Sequence, residues 1–244
     1  MSVYITIVIP VYNSANTLDE LYKRLTRTLS DLCDDSYEIL LIDDASKDQS
    51  FLKMEQLHRQ DAKVKIIQLA ENFGQQNALM CGFHYAQGEY IITLDDDLQH
   101  PPEEIKKLLL KLHEGYDVVF GIPFEKKHSF YRNMGTKMIS YLFNKICSKP
   151  KNIYVSSFRA IKKEVIKEII KDKTSFVYLA PIIFRITNHA ANVFVRHDVR
   201  KYGNSNYNLF KLLKLFMKLV INYSCVSKLV NVTSRPQFEI KSMQ

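Results

Sequence analysis

Three carboxylates stand side by side in Leu94-Asp95-Asp96-Asp97-Leu98-Gln99, directly after an apolar run and before the helix-start signal Pro101-Pro102-Glu103-Glu104. Adjacent acids at a strand end repel one another unless a cation lies between them. A hard divalent ion sharing an octahedral oxygen shell with diphosphate oxygens meets that need. Alternate side chains of an extended chain share a side, so Asp95 and Asp97 are expected to face one way and Asp96 the other. The outer pair is the expected metal site; the competing reading is an acidic cap on the following helix. A second acidic pair, Asp43-Asp44, closes another apolar run and leads into Ala45-Ser46-Lys47-Asp48. Its carboxylates can accept from a base N–H or a ribose hydroxyl, or simply bond their own turn. Arg159, in Ser156-Ser157-Phe158-Arg159, and Arg200, in His197-Asp198-Val199-Arg200, are read in irregular segments where a guanidinium can fork onto phosphate. Arg132 is the weaker candidate. For each arginine alone a solvated surface role competes, and His197 reads as a turn or supporting residue rather than a base.

These residues need a frame. Apolar, β-branched runs at Tyr4–Val11, Tyr37–Ile42, Val64–Leu69, Tyr90–Leu94 and Asp117–Phe120 are separated by helical periodicity, as in Thr17–Leu32 and Glu103–His113. Further on, Lys162–Lys171 reads as a helix and Asn192–Val195 as a strand, beyond the looser basic and aromatic stretch Phe124–Phe143. The alternation predicts βαβ units and a largely parallel sheet. Right-handed crossovers put the carboxyl ends of such strands on one edge, where ligands bind. Tyr12 and Asn13 follow the first run, Asp43 and Asp44 the second, Glu71 and Asn72 the third, and Asp95 to Asp97 the fourth.

The 244 residues suffice for one large α/β domain with a cleft, and 46% hydrophobic with 25% charged residues is ordinary globular usage, which sets aside disordered and fibrous classes. Cys33, Cys81, Cys147 and Cys225 form no CxxC, so neither a zinc site nor a disulfide framework is expected and a reducing cytosol fits. No run reaches the roughly 18–20 apolar residues of a membrane-spanning helix, and Val3 to Val11 reads as a strand rather than a leader. A net charge of +8 points toward anionic partners without choosing among them. Within Tyr207–Tyr223, Asn208, Lys211, Lys214, Lys218 and Asn222 make one polar stripe on an apolar cylinder. This segment either lies in a membrane interface or packs on the core with a solvated lysine edge. The expected division is a catalytic domain over residues 1–205 and an amphipathic helix with a tail over 206–244.

Taken together, the motifs resemble glycosyltransferase family 2, in particular its polyprenyl-phosphate, dolichyl-phosphate-mannose-synthase-like branch. They are Ile7-Val8-Ile9-Pro10-Val11-Tyr12-Asn13, Glu38 to Asp48, Glu71-Asn72-Phe73-Gly74-Gln75-Gln76, Asp95 to Glu103, Ser157-Phe158-Arg159 and Arg200 to Tyr207. The resemblance implies a GT-A fold, a mostly parallel, Rossmann-like sheet flanked by helices. It implies that Pro10, Tyr12, Asn13 and Asp43 line the nucleotide base and ribose, with Asp44, Asn72 and Asp96 beside them. Asp95 and Asp97 would hold Mg2+ or Mn2+, Gln99 would face the donor sugar or metal, and Arg159 and Arg200 would meet phosphates. Departures are Ser14 for a glutamate, Glu71 for an arginine, Ser157 for an acid and Asn206 for a lysine.

The expected activity is inverting, metal-dependent transfer from a nucleotide-sugar, UDP-sugar favoured, to a polyprenyl phosphate at the cytoplasmic membrane face. Ser157 removes the usual candidate base, which an ionised lipid phosphate does not need. The alternative acceptor is a sugar hydroxyl on a lipid-linked or soluble glycan, with Asp96 or Asp198 as substitute base. A non-catalytic basic membrane- or nucleic-acid-binding module is the remote reading. Nucleic acid is not expected as a partner, since the carboxylate cluster repels polyanions. Peripheral contact with anionic membrane is expected, and an oligomer is left open.

Overall fold

The apolar runs fold as strands β1 (Ile5–Val11), β2 (Tyr37–Asp43), β3 (Val64–Leu69), β4 (Tyr90–Thr93) and β5 (Val118–Pro123). In this computed structural model, which describes residues 3–124, 150–174, 176–199, 222–223 and 236–244, the strands join β6 (Arg159–Lys162), β7 (Ala190–Val195) and β8 (Ile240–Met243). One eight-stranded sheet results, in the order β7-β5-β6-β4-β1-β2-β3-β8. β6 runs antiparallel to β4 and β5, and β8 antiparallel to β3; the other pairings are parallel.

Both faces of the sheet are covered, so every residue of β1 and β2 is buried. On one face Ile5, Ile7, Ile9 and Val11 pack with helices α1 (Leu18–Cys33), α2 (Ser50–Gln60) and α4 (Ile105–His113). The helix α1 turns Leu18, Leu21, Leu25 and Leu29 inward at three- and four-residue spacing. Each buried leucine contributes roughly 1.5–3 kcal/mol. On the other face Val8, Leu40 and Ile42 meet α3 (Gln75–Tyr85), α5 (Lys163–Ile169) and α6 (Leu179–Ile186). In α3, Gly82 is where the helix touches β1: a Cβ there would sit 2.3 Å from the Val8 side chain.

β1 lies between β2 and β4, so the chain winds away from it in both directions and the crevice at its carboxyl end is a topological switch point. β4 leaves β1 after the Val8–Thr93 pair. Pro10 sits just beyond, where its missing N–H deprives no partner strand of a bond.

The structure corrects three expectations. β4 ends at Thr93, so strand alternation does not reach Asp95 to Asp97; they lie in a turn where Leu98 takes φ 62°. Arg159 is not in an irregular segment but opens β6, paired with Thr93 and Phe120. Within the stretch read as a helix and tail over 206–244, Ile240–Met243 instead joins the sheet on β3. Arg132, Cys147, Arg200, Cys225 and Tyr207 to residue 221 lie outside the described residues. Tyr223, the end of that amphipathic stretch, is buried; it donates to the Phe176 carbonyl at 2.8 Å and accepts from Tyr178 N at 2.9 Å. Among the described residues no helix is long and apolar enough to cross a membrane.

Candidate active site

Three strand-end loops meet at the switch point, and each carries a non-glycine residue in the left-handed region: Asn13 at φ 54° after β1, Ala45 at 56° after β2 and Leu98 at 62° after β4. Such conformations cost on the order of 1 kcal/mol each and persist where the surroundings fix them. Here the fixing groups are visible. Asn13 N donates to Ser46 Oγ at 3.0 Å and its Oδ1 accepts from Lys47 N at 2.8 Å. Ser14 N donates to Ser50 Oγ at 2.7 Å, and Ala15 N to Asp48 Oδ2 at 3.2 Å. Burial works to raise the Asp48 carboxyl, but hydrogen bonds from Ser50 and Ala15 carry it below its ordinary value. The loops after β1 and β2 are thus one bonded unit, with Tyr12 44% exposed on its rim.

The two acids after β2 divide their work. Asp43, fully buried, accepts from Ser46 N at 3.2 Å and from the Gln68 side chain at 3.3 Å. Asp44 accepts from Phe73 N at 2.7 Å and Gly74 N at 2.8 Å, while the Asn72 side chain donates to the Asp44 carbonyl at 3.2 Å. Asp44 therefore holds the chain as it turns into α3 at Gly74, whose φ of 90° suits glycine. Burial raises the Asp44 carboxyl, against those two backbone bonds.

In the carboxylate turn each side chain has its own direction. Asp95 accepts from Gln75 Nε2 and Ser157 Oγ, both at 2.6 Å. Asp96 accepts from Tyr12 N at 3.1 Å, tying this turn to the loop after β1. Asp97 Oδ1 accepts from Gln99 N at 3.0 Å, and the Gln99 carbonyl accepts from Asp198 N at 2.8 Å. Burial pushes Asp95 above the usual carboxylate range and Asp96 up to about 6, since a desolvated acid resists charging. Among the described residues, Asp95 and Asp96 take hydrogen bonds from neutral donors only.

Beneath them lies Arg159, 2% exposed, its Nε donating to Thr93 Oγ1 at 3.1 Å. Burial lowers it to about 10, against the pull of Asp95, so it is a cation at neutral pH. Its terminal nitrogens bond no other described residue. His100 is buried between the rings of Phe158 and His197, with Nδ1 unpartnered. Burial lowers its pKa, against Asp95, and leaves it neutral.

The donor set suits a divalent ion that arrives with its ligand. Among the described residues no three His, Cys, Asp or Glu side chains are placed to hold an ion by themselves. One or two desolvated carboxylates plus phosphate oxygens are the usual surroundings of Mg2+. The structure brings Pro10, Tyr12, Asn13, Asp43, Asp44, Asn72, Asp95, Asp96, Asp97, Gln99 and Arg159 to one sheet edge. Sequence reasoning named Gln75 only within the Glu71–Gln76 motif, without a role, and gave Ser157 a meaning only as a lost acid. The available signal for Gln75 was its position one residue past a turn glycine, on the helix facing the carboxylates.

A family model described as Glycosyl transferase family 2 matches residues 6–170. Among solved structures, the chain is similar to glucosyl-3-phosphoglycerate synthase from Mycobacterium tuberculosis. In the complex with Mg2+ and UDP the TM-score is 0.65 at 16% identity, over 90% of this chain and 79% of that one. In the complex with Mn2+, UDP-glucose and phosphoglyceric acid it is 0.62 at 17% identity, over 90% and 78%. The mannosyltransferase PcManGT from Pyrobaculum calidifontis, in complex with GDP-Man and Mn2+, matches with TM-score 0.61 at 15% identity, over 96% of this chain and 66% of that one. The common architecture is the GT-A fold expected from the motifs.

Proposed function

The chain belongs to glycosyl transferase family 2, and from that premise we propose that it moves a hexosyl unit from a nucleoside diphosphate sugar, UDP-sugar favoured, to an acceptor hydroxyl, with Mg2+ or Mn2+ at Asp95 and Asp97. The observation that carries this reading is the Asp96–Tyr12 bond, which joins the carboxylate turn to the loop after β1 across the switch point. A diphosphate lying there has the exposed Tyr12 and Asn13 on one side and acids on the other. The similar synthase and PcManGT structures each hold a nucleotide and a divalent metal.

Tyr12, Asn13 and Asp43 receive the base and ribose, with Pro10 as the floor beneath. Asp44 and Asn72 act at one remove, by fixing the turn into α3. Gln99 faces the donor sugar, and Arg159 and Arg200 steady the phosphates. A bound cation supplies Lewis acidity to the departing diphosphate. The acceptor proton goes to Asp96, since Asp198 is drawn toward Arg24, 3.9 Å away.

A hydroxyl on a soluble or lipid-linked acceptor is the better supported class, because phosphoglyceric acid is the acceptor-sized molecule in the similar synthase complex. Polyprenyl phosphate is the second reading, favoured by Ser157: a hydroxyl stands where an acceptor needing deprotonation wants an acid. In that version residues 1–205 catalyse at the cytoplasmic membrane face and the stretch Tyr207–Tyr223 touches anionic lipid. Incubation with radiolabelled UDP-sugar, Mn2+ and either phosphoglycerate, a glycan or polyprenyl phosphate separates the readings. Label in polyprenyl phosphate alone overturns the hydroxyl assignment, and label in none of them with any nucleotide-sugar overturns the activity.

A further inference from the structure

Asp95 is gripped from two sides. Gln75 Nε2 reaches one carboxylate oxygen and Ser157 Oγ the other, each at 2.6 Å. A carboxylate only accepts, so the Gln75 amide must present its nitrogen and the Ser157 hydroxyl its proton. The backbone that carries each donor is fixed by bonds remote from Asp95. Gln75 opens α3, whose start is held by the two bonds from Phe73 N and Gly74 N to Asp44. Ser157 precedes buried Phe158, and its carbonyl accepts from Thr93 Oγ1, which in turn accepts from Arg159 Nε.

We propose that Gln75 and Ser157 are positioning residues, two uncharged donors that fix the carboxylate plane of Asp95 so that its remaining lone pairs meet the cation carried by a nucleoside diphosphate. The inference rests on the metal assignment made above. A carboxylate has about four lone-pair sites, and this grip uses two of them. Because both donors are neutral, they orient Asp95 without discharging it, and its attraction for a cation is kept. Ser157 in the place of an acid fits the same logic. An ionised carboxylate there could not donate to Asp95, whereas the Ser157 hydroxyl does.

The test is calorimetric titration of UDP into the full chain, with and without Mn2+, for the wild type, Ser157→Ala, Gln75→Met and Ser157→Thr. Supporting groups around metal ligands typically carry 10- to 100-fold in metal affinity. Ser157→Ala and Gln75→Met should each weaken Mn2+-dependent UDP binding by at least about 10-fold and leave metal-free UDP binding within roughly twofold. Ser157→Thr keeps the hydroxyl and should retain most of the affinity. The positioning role is overturned if both donor-less variants bind Mn2+ and UDP like the wild type. It is also overturned if Ser157→Thr falls as far as Ser157→Ala, or if metal-free binding drops in parallel, since packing would then explain the loss. A wild type whose UDP binding ignores Mn2+ sinks the metal assignment itself and this inference with it.

Discussion

Glu38 and Asp95 are carboxylates at opposite ends of the same sheet, and they are treated in opposite ways. At the amino ends of the strands, Glu38 is 2% exposed and accepts from Thr6 Oγ1 at 2.7 Å, Gln87 N at 2.7 Å and Lys65 Nζ at 2.6 Å. Thr6 Oγ1 also accepts from Gly88 N at 2.8 Å, so donors and acceptors there are matched and a lysine closes the charge. At the carboxyl ends, Asp95 and Asp96 have neutral donors only among the described residues, and burial raises both. One end closes its acid with a lysine; at the other, two desolvated carboxylates stand above the Arg159 cation without a cationic hydrogen-bond donor among the described residues.

The contrast can be broken at four places. Replacing Asp97 by Ala should lower transfer by on the order of 1,000-fold, the scale of losing a charge-stabilising group in a transition state. The thermal midpoint should move less than for a buried carboxylate, because the Asp97 carboxylate accepts from Gln99 N within its own turn; near-normal turnover would refute the metal assignment. Glu38→Ala should do the reverse. It leaves Gln87 N, Thr6 and Lys65 without their acceptor and should cost about 2–4 kcal/mol in urea unfolding. Mn2+-dependent UDP binding by the folded fraction should be unchanged, and a large loss of binding there would erase the division between the ends.

A smaller effect is expected at Gly88, where a Cβ would come within 2.6 Å of Thr6 N and 2.9 Å of the Ile5 carbonyl carbon. Both are backbone atoms, so Gly88→Ala should cost roughly 1–3 kcal/mol by overpacking; a neutral result would mean this end yields more easily than its bonding suggests. The smallest effect concerns Glu103, which accepts from Arg24 Nε at 3.0 Å and Nη2 at 2.7 Å beside the carboxylate turn. The Arg24 bond holds the Glu103 carboxyl below its ordinary 4.5. Its stabilisation is therefore present above about pH 4.5 and is lost as pH falls through the lower folded value. Water and salt screen this half-exposed pair, so Glu103→Gln should cost at most about 1 kcal/mol near neutral pH. The cost should fade in melts below pH 4.

Much of the fold was legible because both faces of the sheet are covered. Runs such as Ile5–Val11 are then apolar on nearly every residue, with buried exceptions such as Thr6 and Glu38 bonded to each other, and no periodic pattern is needed to see them. β6 and β8 escaped for the opposite reason. Arg159–Lys162 begins with a charge and Ile240–Met243 carries Lys241 and Ser242, so each is a strand only because a neighbour offers its edge. At the site, the alternation argument for Asp95 and Asp97 assumed an extended chain, and the left-handed Leu98 marks where extension has already ended.

The amino-acid sequence by itself determined which strand ends carry acids, because that depends only on where an apolar run stops and which residues come next. It also determined the family, through motifs in a fixed order. Only the tertiary structure decided what each acid does. Asp44 serves the start of α3, Asp96 serves the loop after β1, and Asp95 is held between Gln75 and Ser157. Those assignments depend on donors 20 to 84 residues away in the chain, and a hydrogen bond exists only when folding brings its two partners within about 3 Å.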